Sequence, residues 1–390
     1  MVVHHEANRA VRQAIEHAIR ERGEIGMQVA AYLNGELVVD AWGGLADGAS
    51  GPPVKGDTLF NVFSVTKAVA ATAVHLQAEK GLLEYDAPVA DYWPEWGCHG
   101  KQKATVRDAL THRTGTPQMP AGTTPETICD WDATVAGIAA LEPIFPVGAA
   151  PAYQSMSFGW VLGEIVRRTD PLQRSFADYI QQEICTPLGI EDLWVGIPDE
   201  VEPRIAALVN AEAGAPTPAP DSLFARSLPN SVQLIPEVFE RPAVRRACIA
   251  GVGGIFTARS EARFWALWAS QGSLDGVRLL SPQRVAAACI PRHGNEPDPV
   301  YFNAVMPLSE GGFWMGSTAM PFVGMVRGER SICCPGAGAS IGWADPDTGL
   351  AVAFCHNRMM RPKTCEEHPF YAIAEVIYES LGIAGKVPGR

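Results

Sequence analysis

The stretch 60-FNVFSVTKAVAATAVHLQAEKG-81 decides how the rest of the chain is read. From Ser64 onward it has the character of a helix, and Lys80-Gly81 supplies the stop. Val65, Val69, Ala73 and Leu76 form an apolar stripe, while Ala68, Ala70, Ala71 and Thr72 are small. Little is polar before His75, so the helix is expected to be buried nearly all round. Ser64 and Lys67 stand three residues apart and share one face at the first turn. Free backbone N–H groups and the positive end of the dipole lie there. A serine in that place either caps the helix or attacks a carbonyl, with its own N–H aimed at the developing oxyanion. The lysine either snorkels or is desolvated, and desolvation favours the neutral amine. An unperturbed lysine, pKa ~10.4, is neutral in fewer than about 0.1% of molecules at pH 7. A buried lysine beside a serine is therefore a costly accident or a base.

Outward from this helix the pattern is β at both ends and helical between. Residues 6–22 carry Val11, Ile15, Ala18 and Ile19 at helical spacing, with Gly23 ending the run. Two β-rich runs then flank Asn34-Gly35, a strong hairpin signal. Residues 105–115 read as a short helix capped by Thr105, and 157–169 and 175–189 as the clearest helices of the middle. The Pro- and Ala-rich stretch 210–245 reads as a long surface loop. Beyond a turn and a helix at 251–272, residues 312–318, 322–327, 339–344 and 350–356 look like short strands, with "DPDTG" (345–349) as the turn between the last two. Residues 367–381 close the chain as a helix. The fold class expected is α+β: one antiparallel β-sheet built from both ends, flanked by N- and C-terminal helices. A mostly helical lobe, 101–245, is inserted between the sheet-forming parts 1–100 and 246–390.

A serine and a lysine need a partner to protonate the leaving group. Tyr153 in "PAYQSMSFGWVLGEIVRRT" follows a turning loop and can supply a phenol, or it is a half-buried tyrosine at a helix start. The ordered set "SVTK", "YQS" and the glycine-rich "CCPGAGASIGWADP" resembles the serine β-lactamase-like superfamily, more narrowly its class C branch and the family VIII carboxylesterases. "DALTHRTG" (108–115) resembles the segment these proteins carry between the first two motifs. The resemblance spans roughly residues 10–380. It implies that Ser64 is the acylated nucleophile and that Lys67 and Tyr153 form the acid/base pair. It also implies that the N–H groups of Ser64 and Ala337 make the oxyanion hole. The third motif, Lys-Thr-Gly in β-lactamases, falls on Cys334-Pro335-Gly336, which with Ser155 are the implied substrate-binding residues. Here the motif has lost its lysine, and Ser155 stands where class C β-lactamases have asparagine. These departures favour neutral esters, or an amide or acyl-transfer substrate, over β-lactams. No cofactor and no metal are called for.

Composition narrows the partners. A net charge of -12 argues against nucleic acid and anionic membranes, so a small-molecule ester is the expected partner. No apolar run reaches ~18 residues, and the N-terminal stretch lacks the apolar core of a signal peptide. Nine cysteines without regular spacing read as free thiols, and the expected location is cytoplasmic. Three rivals remain on the sequence. Gly338-Ala339-Ser340-Ile341-Gly342 matches a nucleophile elbow, but a hairpin follows where that elbow needs a helix. Cys333 or Cys334 could act as thiol nucleophiles, and a non-catalytic binding protein could retain the fold. The stretches 93–96, 118–119, 313–315 and 320–325 read as pocket walls or as core.

Overall fold

A computed structural model of the chain describes residues 4–48, 51–211, 217–294 and 296–385. The helix His5–Arg22 opens the fold. The His4 side chain caps it, and Gly23, at φ 72°, closes it. Its buried face, Ala7, Val11, Ile15 and Ala18, packs on the strand Glu36–Gly44 and on the closing helix Tyr371–Ser380. Asn34 and Gly35 take positive φ values of 52° and 81°, and so turn Gly26–Leu33 back into Glu36–Gly44.

Six antiparallel strands form the main sheet. Their order is Glu36–Gly44, Gly26–Leu33, Leu350–His356, Ile341–Asp345, Ile332–Pro335 and Trp314–Met315. The register Met27↔His356 through Leu33↔Leu350 joins the two ends of the chain at the sheet centre. Neighbouring residues of one strand show which helices cover which face. Trp343 stacks on Tyr378 of the closing helix, whereas a Cβ at Gly342 would collide with Trp265 and Glu261 of the helix Ala258–Ala269. Successive residues point to opposite faces, so the sheet is sandwiched between these helices.

A smaller antiparallel sheet, Phe60–Phe63, Gly254–Phe256 and Leu193–Val195, stands beside it. Its first strand runs directly into the helix Thr66–Glu79, which packs on the helix Ser157–Thr169. Every residue from Thr66 to Ala78 is buried, lysine included. No helix among the described residues is long and apolar enough to cross a membrane.

Three sequence expectations fail for local reasons. Residues 322–327 are turns closed by bonds such as Val326 N–H to Val323 O, so an apolar run here fills core without pairing. Of 312–318 only Trp314–Met315 pairs, with Ile332 and Cys333. The stretch 210–245, of which 212–216 lie outside the described residues, is no plain surface loop. It holds the short helices Leu223–Ser227, Pro236–Phe239 and Pro242–Arg246 and buries Val232, Val238, Phe239 and Val244. Pro236 and Pro242 each occupy the first helical position, where a missing N–H costs nothing, so these prolines start helices.

Candidate active site

The strand-to-helix junction sets Ser64. Phe63 has φ 47°, a left-handed backbone that costs a bulky residue about 1–2 kcal/mol. Thr66 Oγ1–H donates to the Phe63 carbonyl, and Phe239 packs edge-on at 5.2 Å between ring centres. Such strain persists only where the surroundings hold it, and it is found at functional sites. Ser64 itself is buried, at 9% exposure the least enclosed residue of the junction 63–67.

Lys67 Nζ lies 3.0 Å from Ser64 Oγ, 2.7 Å from the Ser155 carbonyl and 3.0 Å from the Gly251 carbonyl. Two of the three partners are carbonyls, which can only accept. A neutral amine has two N–H bonds and one lone pair, so it can serve both carbonyls and still accept the Ser64 proton. Burial pushes the Lys67 pKa down to about 7.

Tyr153 comes from the stretch 101–245, and its ring centre lies 5.5 Å from Lys67 Nζ. Its loop is held on both flanks by His112. The Ala152 N–H donates to the His112 carbonyl at 2.8 Å and the Gln154 N–H to its Nδ1 at 3.2 Å. Burial, with Lys67 and Arg292 nearby, keeps His112 well below the ordinary histidine pKa, so its ring is neutral at pH 7. The Tyr153 phenol is pushed well above 10 by burial, with Cys334 and Tyr301 adding to the shift and hydrogen bonds with Ser64 and Trp314 opposing it. One group is thus poised to take a proton and its neighbour is held protonated.

Ser227 ties these parts together and is wholly buried. It accepts from the Ser155 N–H at 2.8 Å and lies 2.8 Å from the Tyr153 carbonyl and 2.9 Å from Ser155 Oγ. The Ser155 side chain is therefore engaged by Ser227, while its carbonyl holds Lys67. Asp298, also buried, accepts the Val300 and Tyr301 N–H groups at 2.9 and 3.0 Å through one carboxylate oxygen.

The third segment forms the wall beside Ser64. Cys334 is buried, and its thiol donates to the Ser64 carbonyl at 2.9 Å. Pro335 ends the strand, and Gly336 is required because a Cβ there would collide with the Val62 carbonyl. The N–H groups of Ser64 and Ala337 donate to no acceptor among the described residues. The turn that carries Ala337 is strained at Ala339, φ 96°, and is pinned by His356, which bridges the Gly338 carbonyl and Glu24 at 2.8 Å each.

The structure thus brings Ser64, Lys67, Tyr153, Ser155 and Cys334 to one place. The rivals lack equivalent surroundings. Ser340 is 2% exposed and leads into the strand Ile341–Asp345, not a helix. Burial pushes the Cys334 thiol up to about 12 and the Cys333 thiol well above 9, which deprives both of nucleophilic thiolate. Of the aromatic stretches, Trp314 packs on Tyr153 at 6.2 Å, whereas Trp93 and Trp96 are core residues packed on each other. Sequence reading missed His112, Ser227, Asp298 and His356. His112 sits in the motif-like "DALTHRTG", which was a signal; Ser227, in a Pro- and Ala-rich stretch, offered none.

The Beta-lactamase family model matches residues 11–375. The chain belongs to the beta-lactamase family. Its sheet-and-helix architecture is the β-lactamase/transpeptidase-like α+β fold. Among its relatives is the esterase/beta-lactamase LipL of Mycobacterium tuberculosis, 32% identical over 372 residues, covering 93% of this chain and 84% of LipL. The crystal structure of a family VIII carboxylesterase superposes with TM-score 0.87 at 26% identity, covering 97% of this chain and 99% of that one. A penicillin-binding protein homologue from Caulobacter crescentus superposes with TM-score 0.84 at 32% identity, over 97% and 99%.

Proposed function

We propose that this protein is a serine carboxylesterase that cleaves neutral esters through an acyl-enzyme on Ser64. The observation that carries the reading is the contact of Lys67 Nζ with Ser64 Oγ at 3.0 Å, made by an amine whose pKa burial brings to about 7. Neutral Lys67 takes the Ser64 proton as Oγ attacks the ester carbonyl. The oxyanion is received by the N–H groups of Ser64 and Ala337, a contribution of about 3–4 kcal/mol per donor in comparable sites. Tyr153, neutral and close to Ser64, gives its phenolic proton to the departing alkoxide and is reset by the Lys67 ammonium, which lies 5.5 Å from its ring centre. In the second half neutral Lys67 draws a proton from water by way of the Tyr153 phenol, the hydroxide attacks the acyl carbonyl, and the Lys67 ammonium returns the proton to Ser64 Oγ as the acid departs. His112 and Ser227 fix the Tyr153 segment, Asp298 fixes the adjoining Tyr301 loop, and none of the three takes part in proton transfer.

Ester rather than β-lactam chemistry is supported by Cys334, an uncharged thiol where the resemblance places a lysine in β-lactamases. It is supported too by the names of the relatives, LipL as an esterase/beta-lactamase and the structural neighbour as a carboxylesterase. Nine cysteines without regular spacing in the sequence support a reducing, cytoplasmic setting. Short-chain p-nitrophenyl esters and the anionic cephalosporin nitrocefin separate the alternatives. The ester is expected to show kcat/KM at least about 100-fold higher, because the third motif presents the β-lactam carboxylate with the Cys334 thiol in place of a lysine. Comparable turnover of both would place the enzyme among the β-lactamases, and turnover of neither would favour a binding protein.

A further inference from the structure

Among the described residues, four large apolar side chains are strongly exposed, and three of them, Ile290, Phe302 and Val305, belong to the single stretch 290–305. Phe302 is the most exposed, at 71%. Its position is built rather than incidental. Phe302 and Asn303 both have φ 56°, a conformation unfavourable for side chains of L residues. The loop that presents them is closed by Asp298 N–H to Ala304 O and by Asn303 N–H to Asp298 O. Its neighbour Tyr301 packs edge-on to Tyr153 at 5.6 Å and to Trp314 at 6.2 Å. Phe224 completes the group, 5.0 Å from Phe302 and 6.4 Å from Tyr301. It comes from the helix Leu223–Ser227, whose last residue holds the Tyr153 segment. Two separate elements, each packed or bonded against the Tyr153 segment, therefore raise an aromatic ledge from the Tyr153 ring out to solvent.

We propose that Tyr301, Phe302 and Phe224 form the alcohol-side subsite, and that it selects esters whose leaving alcohol carries an aryl or comparably flat apolar group. The assignment to the alcohol side rests on the proposed mechanism. The bond that breaks joins the acyl carbon to the alkoxide oxygen, and the proton that oxygen gains comes from Tyr153. The departing alcohol must therefore leave across the phenol, where the ledge begins. Aromatic contacts contribute about 0.5–1.5 kcal/mol each beyond area burial, enough for a preference of up to about tenfold per ring.

The test uses acetate esters, so that every substrate forms the same acyl-enzyme, and compares benzyl with ethyl acetate by titrating released acid. The two alcohols have similar acidity, so the proton transfer is alike. Wild-type protein is expected to favour benzyl acetate in kcat/KM. Phe302→Ala and Phe224→Ala are each expected to lose about 3- to 10-fold on benzyl acetate and to leave ethyl acetate unchanged. Phe302→Leu is expected to fall between. Equal losses on both esters, or none on either, would overturn the subsite. So would a defect that follows an aryl group on the acyl side, read with ethyl phenylacetate. Ser64→Ala, tested on both acetates, separates this outcome from failure of the mechanism: retained turnover there sinks the acyl-enzyme and leaves the ledge result to stand by itself.

Discussion

Replacing Lys67 by arginine is expected to lower kcat/KM for esters by about 10²–10⁴-fold. Arginine keeps the positive charge and the hydrogen-bond donors but cannot surrender its proton at any working pH. A lysine that served only to hold Ser64 or to stabilise the oxyanion would tolerate this change far better than a lysine that acts as base. The pH dependence carries the same distinction. The reactive form is the neutral amine, so kcat/KM of the wild type is expected to rise with pH through about 7 and then level. Below that point it should fall about tenfold per pH unit. The Lys67→Arg variant should show no such limb. Folding stability should move in the same direction. With the folded pKa near 7 and the unfolded value near ~10.4, the unfolded chain binds the extra proton across that interval, so stability rises with pH from about 7 to about 10. At pH 7 the buried amine costs on the order of 4 kcal/mol relative to a solvated ammonium.

Tyr153→Phe should cost nearly as much, but selectively. For esters of simple alkanols, whose alkoxides need a proton to leave, the loss is expected to be about 10²–10⁴-fold. For p-nitrophenyl esters, whose phenolate departs unaided, acylation should suffer much less. A phenol pushed well above 10 is a proton donor at neutral pH and not a resting base, so the defect should follow leaving-group pKa. A loss independent of the leaving group would assign Tyr153 to positioning alone.

How much of this was legible beforehand differs from element to element. The buried helix after Ser64 could be read because its residues are apolar or small on every face, and the hairpin because Asn34-Gly35 fits one turn type. The pairing of the first strands with the last was accessible only as a pattern of β character at both ends. Its register depends on contacts across more than 300 residues, which local composition does not encode. Residues 322–327 misled because an apolar run fills core equally well as turns. Ser64, Lys67 and Tyr153 were legible through the order of short motifs. Ser227, Asp298 and His356 were not, because each acts by hydrogen-bonding a backbone group brought close only by the fold. A serine or aspartate in a loop carries no trace of such a partner.

A covalent acyl-Ser64 intermediate can be trapped directly. Wild-type protein is mixed with a slowly deacylating aryl ester, quenched in acid and mapped by peptide mass spectrometry. The acyl mass is expected on the peptide containing Ser64, with none on that peptide in Ser64→Ala. An acyl group on Ser340, Cys333 or Cys334, or turnover that persists in Ser64→Ala, would contradict it.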